Sequence, residues 1–197
     1  MIGSGKVQTE TRAVSGFQAV ALRGAMNLVL RQGQREGVEI RADDNLLPLI
    51  ETRLVDQSGL RTLAIDSKRG TSYSTRSEMT VTVDLIRLKA LTISGSGDAF
   101  GDALKTDALK LVLSGSGSLK LRQFSAEALD IKVSGSGDVQ VAGRAPRVDV
   151  VIAGSGDASV QARRALSVSI AGSGGVSHAG DATVKSSISG SGSVKRR

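Results

Sequence analysis

Three aspartates return at one fixed place in this sequence, and carboxylates held at a constant spacing are the first groups to weigh for chemistry. Asp98, Asp138 and Asp157 each close a five-residue phrase of the form Ser/Ala-Gly-Ser-Gly-Asp, and the same closing position reads Ser118, Gly175 and Ser193 in the other copies. If the copies stack, Asp138 and Asp157 become neighbours about 5 Å apart. Two carboxylates that close repel unless backbone amides, a shared proton or a cation compensates. The leading expectation is that they accept hydrogen bonds from nearby corner amides. Calcium is the alternative, although the calcium nonapeptide Gly-Gly-x-Gly-x-Asp needs a nine-residue period. Acid/base cleavage of a glycan is the third option, since Asp98, Asp102, Asp138 and Asp157 offer a carboxylate pair. Sugar clefts favour aromatic platforms, however, and the chain has three Phe, one Tyr and no Trp.

The second candidate group is basic. Arg144 and Arg147 fall in one inter-strand turn and Arg163 and Arg164 in the next, so stacking brings them together as a possible polyanion contact. Residues 138–197 hold eight basic and four acidic side chains, a balance of +4. That suits lipopolysaccharide, teichoic acid-like polymers or acidic glycans; the alternative is a solvated face that confers solubility. Nucleic acid is disfavoured, because no aromatics interleave with these charges for base stacking. Residues 67–76 form a second basic stretch, with Tyr73 as its aromatic. His178 is the single histidine, and cysteine is absent. A transition-metal site, a thiolate nucleophile and a disulfide framework are therefore not expected. No catalytic, cofactor-binding or metal-ligating residue is assigned.

What positions these side chains is the phrase itself. It begins at residues 94, 114, 134, 153, 171 and 189, at intervals of 20, 20, 19, 18 and 18. Such a period marks one structural unit stacked on copies of itself. Counted from the start of each phrase, the positions five, three and one before and five and seven after hold apolar residues at 25 of 30 places. The exceptions are Lys89, Gly101, His178, Ser186 and Arg196. A period of two on both sides of the phrase is the signature of strands with one buried face. Each unit is two short strands joined by a glycine corner, with no room for a crossover helix.

The corner glycines are Gly95 and Gly97, Gly115 and Gly117, Gly135 and Gly137, Gly154 and Gly156, Gly172 and Gly174, and Gly190 and Gly192. They are read as structural: they admit φ > 0 and leave no Cβ to strike the next rung. A phosphate-cradling loop would need a following helix and a Lys-Ser/Thr pair. The serines between them are expected as a hydroxyl row on the outer surface. The remaining side of each unit shrinks from seven residues (102–108, 122–128) to six (142–147) and then five (161–165, 179–183). The pattern predicts an all-β chain, a right-handed parallel β-helix with rungs of about 18–20 residues.

The chain of 197 residues can bury a sizeable core and is read as one domain, residues 1–197. Residues 1–88 form irregular first rungs and a cap, and residues 89–197 the regular array. Within the first part, Val20 to Leu30 is a degenerate copy of the unit, with Gly24 turning and Asn27 in the Asp98 column. Thr52–Val55 and Leu60–Ile65 read as a hairpin around Gln57-Ser58-Gly59. At the far end the apolar pattern decays, and Lys195-Arg196-Arg197 is placed to blunt an open edge. Formal charge is +7, which favours acidic partners. No apolar run reaches the roughly 20 residues needed to span a bilayer, and Met1 to Lys6 does not read as a signal peptide.

Gly3-Ser4-Gly5, Val14-Ser15-Gly16-Phe17, Ala42 to Leu47, the 68–75 segment and the Ser-Gly-Ser-Gly-Asp corners together resemble the GIN-domain family, the autotransporter adhesin heads. The resemblance covers nearly the whole chain. It implies a β-helical domain of the bacterial envelope, periplasmic or on the cell surface, and supplies no catalytic residues. The expectation is a non-enzymatic binding or structural domain, adhesin-like, contacting acidic polymers or partner proteins. Two alternatives stand beside it: a scaffold that self-assembles into homo-oligomers through the β-helix ends, and a polysaccharide-active enzyme.

Overall fold

The structure, a computed structural model, describes residues 1–197. The N-terminal part contributes β1 (Val7–Arg12), β2 (Ala19–Gly24), β3 (Asn27–Gln32), β4 (Gly37–Asp43), β5 (Ile50–Gln57), β6 (Leu60–Ser67) and β7 (Thr80–Leu85). The regular part runs through β8 (Ala90–Gly95), β9 (Ala99–Lys105), β10 (Ala108–Gly115), β11 (Leu119–Ser125) and β12 (Ala128–Gly135). It continues with β13 (Val139–Gly154), β14 (Ala158–Gly172), β15 (Gly175–Ala179), β16 (Thr183–Gly190) and β17 (Ser193–Arg196). A single turn of 3-10 helix at Leu47–Leu49 lies within the apolar run Leu46-Leu47-Pro48-Leu49-Ile50.

The result is a parallel β-solenoid. Strands that lead into a glycine corner stack on one another, and strands that leave it stack as a second sheet. Leu91 lies beside Leu111, Leu111 beside Ile131 and Ile131 beside Val150. On the other side of the corner Ala99, Leu119, Val139 and Ala158 align in the same way. The two inward faces meet in one cluster of 46 buried residues reaching from Phe17 to Val176. Stacking like on like lets each branched side chain sit over its counterpart, which is why Leu, Ile and Val suffice without large aromatics.

The third side of the coil departs from the simple turn expected of it. β9 and β11 continue through a bend to Lys105 and Ser125, and β13 and β14 run unbroken through theirs. At the bends of β9 and β11 two successive residues face solvent (Asp102-Ala103, Arg122-Gln123), which shifts the inward phase by one, whereas in β14 the exposed Arg163-Arg164 come after the inward residue. The inward residues of these bends are Leu104, Phe124, Ala145 and Ala162, all buried. This is the taper: as the turn shortens, its core residue shrinks from Leu and Phe to Ala. At Gly180 no side chain is left, and a Cβ there would lie 2.1 Å from the Ala162 carbonyl oxygen.

The spatial order of the first rungs is not their chain order. The unit β2–β3 lies between β6–β7 on one side and β8–β9 on the other, parallel to all four. The chain thus builds one rung, leaves it to form β4 and β5, lays β6 and β7 on its outer side, then crosses to its inner side at β8. The expected hairpin is present as β5–β6, turning at Ser58 and Gly59 with φ of 53° and 77°, the angles of a type I′ turn. Antiparallel β1 and β4 close the adjoining sheet. The opposite end has no such cover: β16 and β17 each pair on one side only, and Val184 and Ile188 are about two-fifths exposed.

Candidate binding surface

The two glycines of a corner do different work. The first takes φ between 118° and 137° in all six regular copies, the region L side chains avoid. Its carbonyl accepts the N–H of the serine one rung on, as from Ser116 to Gly95 at 3.1 Å and Ser136 to Gly115 at 3.0 Å. Neither glycine has room, since a Cβ on Gly115 would stand 2.0 Å from the Gly95 oxygen and one on Gly117 2.1 Å from the Gly97 oxygen, but the second glycine's own angles are ordinary. In the degenerate corner Met26 fills that second place, fully buried. Ser96, Ser116, Ser136, Ser155, Ser173 and Ser191 are exposed as expected, but they form no hydroxyl-to-hydroxyl bonds.

The aspartate column is a hydrogen-bond ladder. Asn27 Oδ1 accepts the N–H of Asp98 at 3.0 Å, which places Asn27 in the Asp98 column. Asp98 Oδ1 accepts both the N–H and the hydroxyl of Ser118, at 2.7 and 3.0 Å. Asp138 Oδ1 accepts from Asp157 N–H at 3.0 Å, and Asp157 Oδ1 from Gly175 N–H at 2.6 Å. The paired carboxylates are compensated by amides, the arrangement expected from their spacing. No group of three or more His, Asp or Glu side chains comes close enough to hold a metal. Asp102 lies apart from this column, exposed at the bend of β9.

Arg144, Arg147, Arg163 and Arg164 all face solvent, and none forms an ion pair. They occupy the third side on adjacent rungs, but not as an aligned stack. Ala145 pairs with Ala162 and Arg147 with Ala165, so Arg163 and Arg164 bulge out opposite Pro146. Arg144 instead continues a column with Ser125 and Lys105 on the two rungs before it. His178 points inward in the column of Val141 and Val160; it is 6% exposed, and its Nδ1 has no hydrogen-bond partner. Arg196, given an inward position by the pattern, pairs instead with Asp181 at the uncovered end.

A second polar surface went unassigned by sequence reasoning. On the outer face of the corner-leaving sheet, Asp138, Asp157, Gln140, Ser159, Ser177 and Lys195 line a shallow groove of about 360 Å³. Gln140 and Ser159 also line a second hollow, which reaches Lys120, Arg122 and Gln161. The Arg122 guanidinium stacks 5.0 Å from the centre of the Phe100 ring. The signal was present in the position six residues after each phrase begins, which reads Phe100, Lys120, Gln140, Ser159, Ser177, Lys195. That position carries no repeated residue type, so the sequence pattern does not mark it as a site.

Residues 16–196, nearly the whole solenoid, match the family described as "Putative auto-transporter adhesin, head GIN domain". The chain belongs to this family. Solved structures agree on the fold. A protein of Bacteroides fragilis described as a putative adhesin superposes with a TM-score of 0.83 at 21% identity, over 100% of both chains. A putative adhesin of Parabacteroides distasonis gives 0.68 at 22% identity, covering 100% of this chain and 99% of its own. Another protein of that organism, described as a putative lipid binding protein, gives 0.63 at 22% identity with the same coverage. No curated protein matches the chain. The family's name is that of a surface or envelope protein, and no helix is long and apolar enough to cross a membrane.

Proposed function

We propose that this GIN-family solenoid is a non-enzymatic binding module of the bacterial periplasm or cell surface that holds acidic envelope polymers. The observation that carries the reading is the set of four exposed, unpaired arginines on adjacent rungs, Arg144, Arg147, Arg163 and Arg164. Guanidinium groups match carboxylate and phosphate geometry. Without intramolecular partners, their charge is available to a polymer lying across the rungs. The family to which the chain belongs supports an adhesive role over a catalytic one. So does the use of Asp138 and Asp157, whose inner oxygens are committed to corner amides. The test is an array of bacterial glycans and acidic polymers probed with the purified protein at low and high salt. Salt-sensitive binding, weakened when the four arginines become Ser, supports the reading; silence across the array removes it.

The uncovered end favours a second reading, stacking of copies end to end, because β16 and β17 offer unpaired edges beside exposed Val184 and Ile188. Lys185, Lys195 and Arg197 crowd the same end and oppose the approach of an identical copy. Light scattering over a concentration series decides it: a particle mass that stays monomeric at high concentration ends the stacking idea.

A further inference from the structure

One outward row has a pattern that the arginine edge lacks. In backbone register from rung to rung it runs Lys120, Gln140, Ser159, Ser177, Lys195. There is a cation at each end and three neutral hydrogen-bonding side chains between. Four rung steps of about 4.8 Å set the two lysine positions about 19 Å apart along the axis. Neither lysine is ion-paired. Asp138 and Asp157 form one wall of the same trough. Each is held in place by the amide that its Oδ1 accepts, while its Oδ2 has no hydrogen-bond partner within the protein.

We propose that this trough binds an extended acidic polysaccharide lying along the solenoid axis. The inference deepens the binding reading above and rests on it: it names the ligand class and assigns specificity to the sheet face, with the arginine edge supplying a general attraction for polyanions. The rung repeat is close to the length that one pyranose adds to an extended polysaccharide, so successive sugars meet equivalent positions. Sugar hydroxyls donate to the free Oδ2 atoms of Asp138 and Asp157, and the amides of Gln140 and Gln161 both donate and accept. Lys120 and Lys195 take anionic groups at the two ends, which fixes a polymer with charges spaced apart rather than packed. A nucleic acid would set a phosphate on every unit against the carboxylate wall and find no row of aromatics for its bases. The binding groups are mounted on strands rather than loops, so little ordering is lost when the ligand docks.

The experiment titrates the full chain with fluorescent fragments of hyaluronan and of unsulfated chondroitin, both charged on alternate sugars, with chitin fragments as the uncharged control and single-stranded DNA as the other polyanion. Three variants are compared with the unaltered protein: K120S/K195S, Q140A/Q161A, and R144S/R163S on the arginine edge. Affinity for an acidic fragment should fall about tenfold in each trough variant, and K120S/K195S should also flatten the salt dependence. The edge variant should change affinity less than about threefold. Amide resonances of Gln140 and Gln161 in the unaltered protein should shift on adding the fragment, a readout independent of whether any variant folds poorly. Loss of binding in the edge variant alone overturns the trough and leaves the polymer-binding function standing. Tighter binding to DNA than to either acidic glycan overturns the polysaccharide. Failure of the unaltered protein to bind either fragment overturns the inference, whereas the broader function falls only if the wider array is silent too.

Discussion

The backbone N–H of Asp157 donates to Oδ1 of Asp138 on the preceding rung at 3.0 Å. The same contact recurs from Gly175 to Asp157 and from Ser118 to Asp98, and Asn27 serves Asp98 in this way on the irregular rung. At the corner the chain turns out of its sheet, and the side chain of one rung supplies the acceptor for the amide of the next. A carboxylate facing an N–H in this way is a charge-assisted bond, and it removes the conflict that two stacked aspartates would otherwise create.

Replacing Asp157 by Ala should therefore cost about 1–2 kcal/mol, because the Gly175 N–H loses its acceptor. Asp157→Asn should cost much less, since an amide oxygen does the same work at Asn27. Urea denaturation of the two variants separates the cases. An equal loss in both would show that negative charge, not an acceptor at this place, is what the corner needs.

Neither glycine of a regular corner has room for a Cβ, and the second lacks it even though its backbone angles are ordinary. Gly117→Ala puts a methyl group 2.1 Å from the Gly97 oxygen, a backbone atom that cannot swing aside. A loss of about 2–4 kcal/mol is expected, against a change within about 0.5 kcal/mol for the exposed Ser116→Ala next to it. Thermal melts of both proteins make the comparison; similar midpoints would mean that the stack opens to admit a Cβ.

Much of this fold was legible in the sequence because a solenoid repeats its instructions. Six copies of the corner phrase, flanked by alternating Leu, Ile and Val, leave one arrangement that buries every apolar column. Asn27 could be placed beside Asp98 from alignment alone, and the ladder confirms it. The order of the early rungs was not legible. Similarity between residues 20–30 and 91–101 shows that they adopt the same shape, but not that β6 and β7 are inserted on the far side of them. The bend was hidden for another reason: Leu104 and Phe124 are inward-facing residues outside the regular columns, so the alternation looked finished at Gly101 and Leu121. The trough row escaped notice because Lys120, Gln140, Ser159, Ser177 and Lys195 share a direction but no chemistry, and direction becomes visible only with the sheet in place.

Asp43 closes the capped end and gives it a dependence on pH. The side chain is 1% exposed. Its Oδ1 accepts the Ser77 hydroxyl and its Oδ2 the Thr75 hydroxyl, both at 2.6 Å. These hydroxyls, Ser77 foremost, and the Gly5 amide hold the carboxyl below its ordinary range; burial pulls the other way and is outweighed. A carboxylate whose pKa is lower folded than unfolded adds stability that is complete above its unfolded value of about 3.9 and is lost as the pH falls through the folded value. The cap that joins β4 to the 74–77 segment should therefore loosen in acid. Asp43→Asn should be less stable than the unaltered protein at neutral pH, and the gap should narrow below about pH 4, where Asp43 of the unfolded chain takes up a proton first and that of the folded chain follows at lower pH. Urea melts at pH 7 and pH 3 measure it. A gap of the same size at both values would assign the loss to altered packing around Gly3 and remove the ionised carboxylate from the account.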